Sequence, residues 1–221
     1  MIEKLYDREQ AGRLLATKLS ALGNRSDVVI LGLPRGGVPV ACEIAKSLAA
    51  ELDVFLVRKV GVPGYEELAL GAIASGGVEV IDPDVAEEFG LRSSEIDRLV
   101  RDEQKELQRR EAVFRGPRPM PNLRGRTVVL VDDGIATGST MRAAMEGVRK
   151  LGAAQLIVAA GVMPLSTSLR LRAELDDLVC LLTPRDFRAV GLFYEQFPQL
   201  SDSDVCALLE EAWQSGARQA A

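Results

Sequence analysis

Short apolar runs alternate with helix-length amphipathic stretches along most of this chain, and that alternation leaves few folds open. After Asp7, the residues Ala11, Leu14, Leu15, Leu19 and Leu22 recur at helical spacing as far as Gly23, which predicts a helix over residues 8–22. Residues 27–33 then read as a buried strand, 38–51 as a helix, and Val54 to Val57 as a second strand running into Arg58 and Lys59. Such a β-α-β unit implies parallel strands joined by a right-handed crossover. Gly and Pro between Val60 and Leu68 mark a mobile loop or hairpin, followed by short strands near 69–74 and 78–81. Ser94 with Asp97 has the spacing of a capping box ahead of a charged helix over 95–114, whose solvent face is laced by pairs such as Asp97 with Arg101 and Glu106 with Arg110. Pro and Gly at 116–125 break that helix before the strongest strand, Thr127 to Val131. A loop over 132–138, a helix to Leu151, a strand over 156–162, a helix near 166–174, a strand over 178–182 and a terminal helix around 203–213 complete the order. The expected fold is α/β, an open, mostly parallel sheet flanked by helices.

Composition narrows the function classes. At 221 residues and 47% hydrophobic, the chain fits one domain, 1–221, with a sizeable core and a small appendage. No apolar run approaches the roughly 18 residues needed to span a bilayer, and Met-Ile-Glu-Lys lacks the blocks of a signal peptide, so a cytoplasmic protein without membrane contact is expected. A net charge of -5 argues against a general nucleic-acid binder. Cys42, Cys180 and Cys206 show no metal or disulfide spacing and read as small buried hydrophobes. The chain has no histidine, which removes every imidazole acid, base or metal ligand and leaves acid/base work to carboxylates, Lys, Tyr, Cys or the substrate.

Residues 128–140 read Val-Val-Leu-Val-Asp-Asp-Gly-Ile-Ala-Thr-Gly-Ser-Thr, with an apolar strand in front and a helix behind. In a parallel sheet that junction lies at the carboxyl edge, where a helix N-terminus offers unpaired N–H groups to an anion. Thr137, Ser139 and Thr140 add hydroxyls, and Gly138 lets the backbone come close to a phosphate. Asp132 and Asp133, just ahead, suit a diol or hydrated Mg2+. Phosphate beside diol describes a phosphorylated ribose.

This strand, acidic pair and A-T-G-S-T turn together resemble the 5-phosphoribosyl pyrophosphate (PRPP) signature of type I phosphoribosyltransferases. The resemblance implies a PRPP-binding enzyme that uses Mg2+ and transfers a phosphoribosyl group to a nitrogen acceptor such as a nucleobase. It implies that Asp132 and Asp133 address the ribose hydroxyls, and any metal through water, while Ala136 to Thr140 wrap the 5-phosphate. It further implies that Arg35, Gly36 and Gly37, after a non-proline cis peptide from Pro34, receive pyrophosphate with Arg58 and Lys59. A mobile catalytic loop would fall at 58–72, with Glu67 as its acid and Glu66 and Tyr65 as alternatives. A hood over the acceptor would draw on residues 1–22 and 184–221, with Phe187, Phe193 and Tyr194 as candidates to stack on it. Family members commonly pair into dimers, so a homodimer is expected.

One departure matters: many purine-salvage members carry an acid where this chain has Ala136, so this loop names no base. Two rival readings remain at this level. A non-catalytic PRPP- or nucleotide-binding regulator would use the same fold. A dinucleotide oxidoreductase would rest only on the glycines at 32–37, which lack G-x-G-x-x-G spacing.

Overall fold

The computed structural model describes residues 3–219, with side chains described for all of these but residues 66, 67 and 216–219. Five strands form a parallel sheet: β1 (Val28–Gly32), β2 (Glu51–Val54), β6 (Thr127–Gly134), β7 (Gln155–Val162) and β8 (Asp177–Leu182), in the order β2-β1-β6-β7-β8. Alternate residues of β1 and β6 feed opposite faces, because successive side chains of a strand point to opposite sides. Ile30, Val129 and Val131 pack with Leu15, Val40 and Ile44, which belong to α1 (Arg8–Lys18) and α2 (Gly37–Leu48). Leu31, Val128 and Leu130 face Met141, Ala144 and Val148 of α5 (Ser139–Lys150). Helices therefore cover both faces, which explains why the strands are continuous apolar runs.

A second, antiparallel sheet is made by β3 (Val57–Val62), β4 (Tyr65–Ala74) and β5 (Val78–Ile81). Here the expected second strand is corrected. The parallel strand β2 stops at Val54, where the Phe55 N–H reaches the Gly32 carbonyl at 3.0 Å, and Val57 already begins the hairpin. Leu52 to Val57 is almost wholly apolar, and such a run does not show where one strand ends and the next starts. Arg58 and Lys59 accordingly lie on β3 rather than at the carboxyl edge of the main sheet. Of the two readings of 60–68, the hairpin is the one described, turning at Pro63-Gly64, where Gly64 has φ +78.

α3 (Pro83–Glu88) was not foreseen from the sequence; Asp82 caps it through the N–H groups of Asp84 and Val85. The charged helix α4 (Ser93–Arg115) starts earlier than its pattern predicts, with the Arg92 N–H donating to the Glu95 carboxylate at 3.0 Å in place of the expected Ser94 and Asp97 box. It is fastened by Arg115, which donates to Asp53 at 2.8 Å and to the Val54 carbonyl at 2.9 Å, all buried. α6 (Leu165–Arg172) and α7 (Asp202–Gln219) complete the helices, with Val205 and Leu209 of α7 buried against the core. Among the described residues no helix is long and apolar enough to cross a membrane.

Candidate active site

The neighbours of β1 in the sheet are β2 on one side and β6 on the other, so the chain reverses its direction of travel at the β1/β6 pair. Open α/β sheets place their ligand crevice at the carboxyl ends of strands at such a switch point. Both turns singled out from the sequence meet there.

The first turn follows β1. The Pro34–Arg35 peptide is cis, as the resemblance implies. The turn lies hard against β6: the Leu33 N–H donates to the Val131 carbonyl at 2.9 Å, and a Cβ on Gly37 would strike that same carbonyl. A Cβ on Gly36 would fall within the Asp133 carboxylate, so glycine is required at both positions by close approach. Arg35 turns away from the sheet, donating to Asp202 at 2.8 Å and to the Leu200 carbonyl at 3.0 Å. It thereby ties this turn to the start of α7.

The second turn follows β6, which runs through both acids and one residue past them because β7 continues beside it; Asp132 pairs with Ala160 and Gly134 with Val162. Asp132 and Asp133 are thus strand residues, not members of a loop as expected. Ala136, Thr137, Ser139 and Thr140 are exposed, and Gly138 takes φ +85 at the entrance to α5. Thr137 and Ser139 place their hydroxyl oxygens 3.2 Å apart. The turn is braced from α6, where the buried Thr167 hydroxyl donates to the Ala136 carbonyl at 2.8 Å. With the N–H groups of the first turn of α5, of which that of Ser139 donates to the Thr137 hydroxyl at 3.4 Å, this forms an open cradle for an oxyanion.

The two acids differ electrically. Burial, and then the charge of Asp133 beside it, push the Asp132 carboxyl well above the ordinary carboxylate range, while its Oδ1 accepts from the Asp133 N–H at 2.8 Å. Asp133 is buried and held by Arg8, whose Nε donates to it at 2.7 Å. Arg8 was missed in the sequence. It also donates to the Pro198 carbonyl at 2.8 Å, and its guanidinium lies 3.8 Å from the centre of the Phe197 ring.

Arg8, Arg35, Gly36, Asp133, Phe197 and Arg110 border a cleft of about 530 Å³ at this edge of the sheet. Arg8 from the N-terminal segment and Val190, Pro198 and Leu200 from the C-terminal segment also line it. The stacking candidates are placed differently. Tyr194 is buried behind β6, with its hydroxyl donating to the Asp133 carbonyl at 2.6 Å through space left by Gly161, and Phe193 stacks on Phe187. Phe197 is the aromatic that borders the cleft, and the sequence offered no period or motif to single it out.

Of the remaining candidates, Arg58 is half-buried and donates to Glu103 at 2.5 Å, and Lys59 is exposed. Glu67 falls on β4, but its side chain, like that of Glu66, lies outside the described residues; Tyr65 is exposed against Phe89. Among the described residues no three acids, cysteines or histidines gather into a metal cage.

This geometry has relatives. A family model described as phosphoribosyl transferase domain matches residues 1–191. A Mycobacterium tuberculosis protein provisionally named a phosphoribosyl transferase is 48% identical over 210 residues, a match that covers 95% of this chain and 47% of that protein. This chain therefore spans about half the length of that curated relative. The crystal structure of the protein TT1426 from Thermus thermophilus superposes with a TM-score of 0.84 at 44% identity, covering 94% of this chain and 98% of that one. With the acidic pair, the A-T-G-S-T cradle and the Gly36-Gly37 turn converging at one switch point, the chain belongs to the phosphoribosyl transferase domain family.

Proposed function

We propose that this protein transfers the 5-phosphoribosyl group from PRPP to a nitrogen acceptor, a nucleobase being the foremost candidate, and releases pyrophosphate. The observation that carries this reading is the convergence of two anion-receiving turns on the Asp132-Asp133 pair at one sheet edge. The 136–140 cradle takes the 5-phosphate, the two acids take the ribose hydroxyls, and the 34–37 turn takes the pyrophosphate. The acceptor enters the cleft beside Phe197, whose ring offers a stacking face. The acceptor nitrogen attacks the anomeric carbon as the bond to the pyrophosphate oxygen breaks, and its proton passes to solvent or to the departing group. Positioning and charge neutralisation supply most of the catalysis.

Mg2+ fits this site as an ion carried chiefly by PRPP oxygens and water, since among the described residues the acids at the two turns are Asp132 and Asp133, one of them already paired with Arg8. When bound it would offset the charge of the pyrophosphate. The reading also takes the β3–β4 hairpin, residues 58–72, as the segment that closes over PRPP with Glu67, the 1–22 and 184–221 segments as a hood, and a cytoplasmic homodimer as the working form. The net charge of -5 supports a small-molecule partner over nucleic acid.

Replacing Asp132 and Asp133 together by Asn tests the assignment. Mg-PRPP affinity measured by calorimetry is expected to fall at least about tenfold and turnover to disappear; unchanged binding overturns the ribose role. A PRPP-binding regulator on the same fold is favoured by one observation, the ion pair that already occupies Asp133. Tight PRPP binding with no pyrophosphate release against a panel of nucleobases would select it.

A further inference from the structure

The cations expected at the pyrophosphate end are largely committed elsewhere. Arg35 is held by Asp202 and the Leu200 carbonyl, Arg58 by Glu103, and Lys59 borders neither the cleft nor the small pocket beside it. A group with several negative charges needs a nearby guanidinium or ammonium in a partly desolvated site.

We propose that Arg110 of α4 is a pyrophosphate-binding residue, reaching from the helix into the gap between the 34–37 turn and the Thr140 end of the phosphate cradle. This rests on reading the cleft as the PRPP site. Arg110 borders both the 530 Å³ cleft, with Arg35, Gly36 and Asp133, and the small pocket lined by Pro34, Leu56 and Thr140. It is the described side chain that spans the two turns from outside the main sheet.

The bland alternative is a solvated arginine on a charged helix. Three observations oppose it. Arg110 is half-buried, unlike the exposed Arg98 and Arg101 of the same helix. Its guanidinium sits 5.6 Å from the Phe114 ring centre, one turn on, and Phe114 is buried, so the head of the side chain rests beside an apolar ring rather than out in solvent. Its expected partner is taken: Arg109 grips both oxygens of Glu106 at 2.7 and 2.8 Å, and Arg58 stands 3.9 Å from the same carboxylate. The Glu106 and Arg110 pair predicted from the sequence does not form, and among the described residues Arg110 makes no ion pair or hydrogen bond. A half-buried guanidinium that finds no ion-pair or hydrogen-bond partner among the described residues, facing a site built for anions, is a ligand-binding group.

Calorimetry on the full chain with inorganic pyrophosphate, Mg-PRPP and ribose 5-phosphate provides the test. Arg110→Gln is expected to weaken pyrophosphate and PRPP about tenfold or more, the loss of a charge-assisted contact, while ribose 5-phosphate stays within about twofold. Arg110→Lys, which keeps the charge without the fork and carries the test should the Gln variant melt early, is expected to be intermediate. Arg101→Gln serves as the control on the exposed face and is expected to match wild type. Wild-type affinity for pyrophosphate in both Arg110 variants overturns the proposal alone. Failure of the wild-type protein to bind PRPP or pyrophosphate at all overturns it together with the phosphoribosyl reading.

Discussion

Two buried arginine–aspartate pairs divide this molecule between them. Arg115 and Asp53 lock α4 to the edge strand β2, with side-chain exposures of 7% and 4%, and Arg8 and Asp133 lock the N-terminal helix to the centre of the sheet, at 10% and 11%. The bonds are nearly the same length, 2.8 and 2.7 Å. Their surroundings differ. Arg115 spends its fork on Asp53, Glu111 and the Val54 carbonyl, within a packed seam away from the cleft. Arg8 and Asp133 stand on a cleft wall, with Phe197 over one side and Gly36 against the carboxylate. The first pair is a fastener; the second is a fastener that also lines the cleft.

The largest expected effect breaks the first pair. Arg115→Met leaves Asp53 buried without its counter-ion, and urea unfolding should show a loss of about 3–5 kcal/mol with PRPP affinity of the folded fraction retained. Arg8→Met should cost less in stability, about 1–3 kcal/mol, because the cleft lets water reach Asp133. It should nevertheless weaken PRPP roughly tenfold, since the carboxylate loses the contact that fixes its orientation. An Arg8 variant that loses stability and no affinity would make the two pairs equivalent. Tyr194→Phe removes the donor to the buried Asp133 carbonyl and should lower stability by about 1 kcal/mol, with only a few-fold loss of turnover in steady-state assays.

The smallest effect concerns the other acid. The folded-state pKa of Asp132 is raised by burial and then by Asp133, so the folded protein holds the proton more tightly than the unfolded chain. Asp132 therefore costs no stability below the unfolded carboxylate pKa and destabilises progressively as pH rises through its elevated folded value. Asp132→Asn should raise the melting temperature by a few degrees at pH 8, and the gain should vanish as the pH falls to about 4. A gain that persists at low pH would remove the charge explanation.

How far these contrasts could be read from the chain varies with the kind of information involved. The 128–140 segment was legible because strand, acids and glycine-bearing turn are contiguous, and local backbone physics places them at a sheet edge whatever surrounds them. The glycines of the 34–37 turn were legible in the same way. Arg58 was misplaced because a continuous apolar run conceals the break between β2 and β3. Tyr194 and Phe197 were interchangeable in sequence, and only the room above Gly161 buries the first while the second faces the cleft.

By itself the sequence determined the α/β alternation, the two turns and the acidic pair, since each depends on residues close together along the chain. The tertiary structure alone decided which cations meet those turns, bringing Arg8 to Asp133 across 125 residues and turning Arg110 from Glu106 toward the cleft. Long flexible side chains choose partners by distance and desolvation in the folded state, and neither quantity is written in local order.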